Sequence, residues 1–336
     1  MTATTAGRRQ PGRVRRFLDG ETHIDFIGRS RMWFTITAVL LVLCALAIAV
    51  RGINFGIDFT GGTSLIIDGA TESFTAEDIR GALGELGIEE SMVQLTSEGS
   101  GALISTTALD EVAGAQQRDV VERLMQVTGA GRDQIEVSAI GPRWGAQISQ
   151  QALRGLVVFL LLVAAYISVR FEWRMAVAAL LTLLHDVAIT IGIYALLGFQ
   201  VTPASVIALL TILGYSLYDT VVVFDRIAED TERLGSSASR TYSEVANQSL
   251  NSVLVRSLST SITSLLPVGA LLFIGAQLLG ATTLEDLALA LFIGMAVGTY
   301  SSLAVATPTL AWLKEREPRY AELRHRLETR RGGARA

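Results

Sequence analysis

The chain has 336 residues, of which 50% are hydrophobic and 18% charged, with a mean hydropathy of +0.43. Soluble domains carry about a quarter charged residues, so this is the composition of a membrane protein. A single cysteine, Cys44, excludes an intrachain disulfide framework and a cysteine-rich zinc site. His23, His185 and His325 are too few and too dispersed for a His-based metal centre, and a formal net charge of -4 excludes a globally basic nucleic-acid binder.

The first apolar run, 33–50, lies behind Arg8, Arg9, Arg13, Arg15, Arg16, Arg29 and Arg31. A signal peptide has a shorter apolar core followed by a small-residue cleavage site. Here Arg51 and Asn54 follow directly, and an uncleaved span is expected. Five further apolar runs, 156–169, 175–197, 201–224, 253–279 and 287–313, bring the expected count to six transmembrane helices. The tail before Trp33 has seven Arg against three acids, and the tail from Lys314 has eight bases against four acids. Positive-inside bias therefore predicts that both tails are cytoplasmic. Residues 51–154 carry seven Arg against 15 acids, as expected of an extracytoplasmic segment. The expected organisation is a basic tail at 1–32, a span at 33–50, an exterior domain at 51–150, spans two to six within 151–313, and a basic tail at 314–336.

Within the exterior segment, residues 54–68 are apolar and β-rich, interrupted at Gly61-Gly62. Residues 75–87 read as a helix capped by Thr75, with Glu77 and Asp78 in its first turn and Ile79, Leu83 and Leu86 on one face. Strands are expected at 91–96 and 102–106, separated by the turn Glu98-Gly99-Ser100-Gly101. A second helix is expected at 110–127 with Val112, Val120, Val121, Leu124 and Met125 as its core face, and a last strand at 134–140. The order βαββαβ predicts an α+β ferredoxin-like domain.

On the other side of the membrane, Arg170-Phe171-Glu172-Trp173-Arg174 joins spans two and three, and a longer loop at 225–250 joins spans four and five around a flexible Gly235-Ser236-Ser237-Ala238-Ser239 insert. No phosphate-cradling glycine pattern followed by Lys-Ser/Thr points to ATP. Nor does a nucleophile stand with a base, so no catalytic site and no cofactor are expected.

Ionisable groups inside apolar spans are the sharpest feature, because a charge at mid-bilayer costs several kcal/mol unless paired, hydrated or neutralised. Asp186 lies midway along the third span. Asp219 precedes Asp225 by six residues, about 9 Å inside the interface, and Arg256 lies at a similar depth on span five. If spans four and five are neighbours, Asp219 and Arg256 can meet as a titratable pair. A buried carboxylate beside a guanidinium stays ionised, and desolvation favours protonation once the guanidinium moves away. One proton descending 100 mV releases about 2.3 kcal/mol, enough to bias a two-state element. A proton relay of Asp219, Arg256 and Asp186 is the resulting expectation. Three readings stand beside it: Arg256 snorkelling to headgroups, Asp219 as a static packing group, and an Asp with Ser and Thr oxygens serving sodium instead. His185, about 100° around the helix from Asp186, is not automatically its partner.

Three motifs, in order, carry a resemblance. Asn54-Phe55-Gly56-Ile57-Asp58-Phe59-Thr60-Gly61-Gly62 follows span one, and His185-Asp186-Val187 lies in span three. Gly214-Tyr215-Ser216-Leu217-Tyr218-Asp219-Thr220-Val221-Val222-Val223-Phe224-Asp225-Arg226-Ile227 occupies span four. Together they resemble the SecF family, within the resistance-nodulation-division superfamily, over roughly residues 26–313. The resemblance implies a bacterial inner-membrane subunit that works with SecD and uses the proton-motive force in late-stage export of preproteins through SecYEG. YajC and YidC are further expected partners. It carries the family's intramembrane aspartate and arginine onto Asp219 and Arg256, and makes the Asp58, Gly61 and Gly62 segment the joint that couples membrane and exterior movements. Many members carry Asn directly before the aspartate, where this chain has Tyr218. A half-size chain also implies a second six-span half supplied by SecD, with Gly294, Gly298, Ser301 and Ser302 as small residues for close helix contact, within the chain or across to SecD. A small-molecule or lipid exporter of the same superfamily is the alternative function.

Overall fold

The computed structural model describes residues 24–88, 91–96, 101–106, 109, 117–140, 142–232, 234, 239–276 and 282–333. Helix α1 (Ser30–Arg51) is the first span. It is followed by a four-residue helix α2 (Ile57–Thr60), strand β1 (Gly62–Ile67), helix α3 (Ala76–Glu85), strands β2 (Ser91–Thr96) and β3 (Gly101–Thr106), helix α4 (Gln117–Thr128) and strand β4 (Ile135–Ile140). The sheet order is β2-β3-β1-β4 and every neighbouring pair is antiparallel, the expected βαββαβ arrangement. Strand alternation sends Leu65 and Ile67 of β1 and Ala102 and Ile104 of β3 into one core with Ile79 and Leu83 of α3 and Val120, Val121 and Leu124 of α4. Thr75 caps α3 as expected: its hydroxyl accepts from the Asp78 N–H at 3.3 Å, and its own N–H donates to Asp78 Oδ2 at 2.8 Å.

Two expectations change here. Residues 54–61 are not strand; the Gly61 N–H donates to the Ile57 carbonyl at 2.7 Å and the chain makes a helical turn. It must swing from the axis of α1 into the sheet within ten residues, and a helical turn followed by two positive-φ glycines, Gly61 (+76°) and Gly62 (+137°), does so. The described part of the second helix starts at Gln117; residues 110–116, including Val112, and the turn at 98–100 lie outside the described residues.

The remaining spans are α5 (Pro142–Arg170), α6 (Trp173–Leu197), α7 (Pro203–Glu232) and α8 (Tyr242–Ala270), which runs on as a π-helical segment, Leu271–Ala276. Span six consists of α9 (Thr282–Ser301), a π segment Ser302–Ala306, and α10 (Thr307–Lys314). Six helices are thus long and apolar enough to cross a membrane among the described residues. Several outrun the apolar runs. Helix α5 begins at Pro142 and passes through position 150, where the exterior domain was expected to end. Helix α7 has 30 residues, about 45 Å, against a hydrocarbon core of about 30 Å. Helix continues on both sides of the loop expected at 225–250, to Glu232 and from Tyr242; residues 233 and 235–238 between them lie outside the described residues.

Spans three, four and six form the interior, with 56%, 44% and 56% of their apolar windows buried, against 17%, 11% and 17% for spans one, two and five. Small residues permit the close approach. A Cβ on Gly294 would lie 2.3 Å from the Ile212 side chain, and one on Gly298 3.0 Å from Ser216, so these glycines seat span six on span four of the same chain. Opposite the α/β domain, a further helix, α11 (Pro318–Gly333), lays Tyr320, Leu323 and Leu327 onto the bundle. Most of the basic C-terminal segment is thus an amphipathic helix. The Tyr320 ring lies tilted against Tyr242 with centroids 4.8 Å apart, and the buried Lys314 ammonium pairs with Glu172 and, at 3.3 Å, with Glu317.

Candidate functional site

Asp219 sits on the inward face of α7, 7% exposed. The Ser257 hydroxyl of α8 lies 2.6 and 2.8 Å from its two carboxylate oxygens, and the Ser302 hydroxyl of span six donates to Oδ2. Three spans therefore converge on one carboxylate. The backbone around Ser302 has a local cause. Pro308 has no N–H for the carbonyl four residues back, and its ring crowds that carbonyl. The helix widens to a π turn over Ser302–Ala306, and Thr307 Oγ1 donates to the Ser302 carbonyl at 3.2 Å. Such turns re-aim side chains within a span.

The expected meeting of Asp219 with Arg256 does not occur: among the described residues Arg256 makes no ion pair, and it is exposed on the outside of the bundle. Helix period explains this. Leu250, Leu254, Ser257 and Ser261 recur at three- and four-residue intervals as the buried stripe of α8, so Arg256 is turned about 100° away from the Ser257 position. Tyr218, 57% exposed, also lies outside the hydroxyl cage of Asp219.

Asp186, 1% exposed, is held by Ser216 Oγ of α7 at 2.5 Å and by His185 Nδ1 at 3.0 Å. Adjacent positions diverge around a helix axis, yet the two side chains are long enough to meet, and His185 is a partner after all. Its Nε2 is buried with no hydrogen-bond partner among the described residues. The imidazole lies 6.2 Å from the Tyr300 ring, and the Tyr300 hydroxyl is 2.8 Å from Thr37 Oγ1 of α1. Ser216 and Asp219 are three residues apart on α7, hence on one face, which links the two carboxylates across a single helical turn. Sequence reading named the two aspartates; it gave Ser216 and Ser257 no part, took Ser302 only as a small residue for helix contact, and left His185 without a partner. Their signal was small polar side chains recurring inside apolar spans.

At the joint, Gly62 packs where a Cβ would meet the Thr106 carbonyl oxygen at 2.3 Å, so both its φ and its contact require glycine. Gly145 of α5 lets the α2 backbone approach; a Cβ there would lie 2.7 Å from the Phe59 carbonyl oxygen. Backbone bonds then tie the joint to the connection between spans three and four: Gly56 N–H to the Val201 carbonyl at 2.9 Å and Val201 N–H to the Asn54 carbonyl at 2.7 Å. The sheet adds side-chain bonds, Gln94 Nε2 to the Gly198 carbonyl at 3.2 Å and Gln200 Nε2 to Ser105 Oγ at 3.1 Å. Burial pushes the Asp58 carboxyl above the usual carboxylate range, partly countered by its own backbone N–H.

Residues 120–316 match the family described as "Protein export membrane protein SecD/SecF, C-terminal", and residues 46–68 match the "SecD/SecF GG Motif". The chain is 43% identical to the protein translocase subunit SecF of Streptomyces coelicolor, over 93% of this chain and 82% of that one. It belongs to the SecF family. A second SecF, from Rhodothermus marinus, is 35% identical over 91% of this chain and 97% of that one. The crystal structure of SecDF from Thermus thermophilus superposes with a TM-score of 0.75 at 34% identity, over 88% of this chain and 39% of that longer chain. In this family frame the GG-motif match covers the end of α1, the joint and β1, while the larger match contains Asp186, Asp219 and Arg256.

Proposed function

We propose that this SecF-family translocase subunit works with SecD to drive late-stage export of preproteins through SecYEG at the expense of the proton-motive force. It would lie in the bacterial inner membrane with both termini cytoplasmic, with YajC and YidC as further partners. The observation that carries the reading is the pair of buried carboxylates, Asp186 and Asp219, each bonded to a hydroxyl from a neighbouring span, with Ser216, the partner of Asp186, one helical turn from Asp219. A change of charge on a carboxylate so placed alters its bonds to hydroxyls on neighbouring helices, and so which packing of those helices is favoured.

Arg256 has a different part. A guanidinium facing acyl chains costs several kcal/mol. Its exposed position therefore marks the face covered by SecD, which supplies an acid opposite it. The relay is then interfacial, with Asp219 inside this half and the guanidinium reaching across. The joint of Asp58, Gly61 and Gly62 passes the resulting movement of spans three and four to the α/β domain.

The test is release of a precursor protein from a SecF-depleted strain complemented with wild type, Asp219→Asn or Arg256→Met. Both variants should fall to the uncomplemented level while assembling normally with SecD. Undiminished release in Asp219→Asn would end the relay. Activity that follows sodium at fixed pH would replace the proton with Na+ as coupling ion.

A further inference from the structure

A cavity of about 420 Å³ lies where the joint meets spans two, three and four. Its apolar lining includes Phe55 and Phe59 of the joint, Leu153 and Leu156 of α5, and Leu210 of α7. Its depth is that of one leaflet. Tyr194, on its wall, is one turn from the domain-side end of α6, and Leu210 is seven residues into α7, about 10 Å from that end. Its mouth opens sideways, since Leu153 and Phe55 are 63% and 48% exposed and span two is the least covered of the six. Five lining residues bear a hydroxyl, and those of Thr60, Ser149 and Ser205 are already bonded to backbone carbonyls. Thr190 and Tyr194 also line the cavity, both only 4% exposed, and their hydroxyl oxygens are buried with no hydrogen-bond partner among the described residues.

We infer that this cavity is a lipid site that takes one acyl chain of a membrane phospholipid from the leaflet on the domain side, with the Thr190 and Tyr194 hydroxyls donating to its ester oxygens. Three features choose this occupant. A wall this apolar does not hold water. The mouth faces the acyl layer, where lipid is the solvent. An apolar stretch of polypeptide would bring a row of backbone N–H and C=O groups that two hydroxyls leave unsatisfied, whereas a lipid brings polar atoms only at its ester end. The site also has a mechanical meaning. Phe55 and Phe59 belong to the segment that carries the α/β domain, so a bound chain props the joint and an empty cavity lets those rings close on spans three and four.

The experiment uses the full chain in phospholipid nanodiscs containing a phosphatidylglycerol with a diazirine in the middle of one acyl chain, with labelled peptides mapped by mass spectrometry. Wild type should be labelled on the cavity-wall peptides of α6 and α7 as well as on the outer surface of α1. Leu156→Trp, which fills the cavity, should reduce wall labelling at least fivefold and leave the α1 surface unchanged. Tyr194→Phe should cut the lipid retained through detergent purification severalfold, while Tyr166→Phe, on the outer face of span two, should not. Wall labelling that survives Leu156→Trp, or lipid retention indifferent to Tyr194→Phe, overturns the assignment. So does competition for the wall by an apolar peptide but not by unlabelled phospholipid.

Discussion

Two carboxylates in the interior of the bundle differ in their partners, and the difference predicts different behaviour on substitution. Asp219 accepts from hydroxyls on two other spans. Ser302→Ala removes one donor to a charged acceptor, an interaction worth about 1.5–3 kcal/mol. Coupled export should therefore fall roughly ten- to hundredfold in the governing equilibrium, measured as precursor release, with less effect than Asp219→Asn. Asp186 instead holds an imidazole. The carboxylate accepts from Nδ1 in the Nδ1–H tautomer, while the buried Nε2 has no hydrogen-bond partner among the described residues. Nitrogen NMR of labelled histidine should report the Nδ1–H tautomer, and Asp186→Asn should release it to a mixture. At the joint, Asp58 gives a pH dependence whose sign follows from burial. A carboxyl held above its usual range contributes stability that is complete below the unfolded value and is lost as pH rises through the folded one. Asp58→Asn should flatten the thermal stability of the chain across that window, read by differential scanning fluorimetry at a series of pH values.

Helices and their ends carry the next level of control. The cap of α3 is exposed and local, so Thr75→Ala should cost about 0.5–2 kcal/mol of the α/β domain's stability and nothing in the spans. The Thr75 bonds also hold the Asp78 carboxyl below the usual range, and the cap is lost as pH falls through that lowered value. Gly62 is the opposite case. A side chain there meets both a positive φ and the Thr106 carbonyl, so Gly62→Ala should destabilise by more than about 1 kcal/mol and loosen the domain, seen as faster hydrogen exchange in β1 and β3. In span six, Pro308 and the π turn before it decide where the Ser302 hydroxyl points, which no propensity assigned to Ser302 alone conveys.

At the scale of the molecule, three well-covered spans and three poorly covered ones describe half of an assembly. Span five shows a buried stripe of Leu250, Leu254, Ser257 and Ser261 to its own bundle, and Arg256 to the other side. The expected outcome is that Arg256→Glu abolishes assembly or activity and that an Arg placed at the facing acid of SecD restores it, measured by co-purification and precursor release. Opposite the α/β domain, α11 packs Tyr320 against Tyr242, beside the Lys314 ion pairs with Glu172 and Glu317. Removing it would uncover Tyr242 and the buried Lys314 ammonium, both of which Tyr320 covers.

Composition and hydropathy by themselves determined that the chain crosses a membrane six times, because about 20 apolar residues in a row have no other stable solution. Alternation and capping also made the βαββαβ domain legible, since Thr75, Gly101 and the apolar positions of each strand act within a few residues. The two aspartates were legible for the same reason that makes them costly: a carboxylate among apolar neighbours stands out in any register. What only the tertiary structure decided is who answers them. Depth along a helix follows from counting residues, but direction around its axis depends on which neighbour packs where. Gly294 and Gly298 bring span six against span four, Pro308 turns Ser302 inward, and the buried stripe of span five offers Ser257 and withholds Arg256. An arginine and an aspartate at equal depth therefore look like a pair in one dimension, and in three dimensions one faces the core and the other faces out.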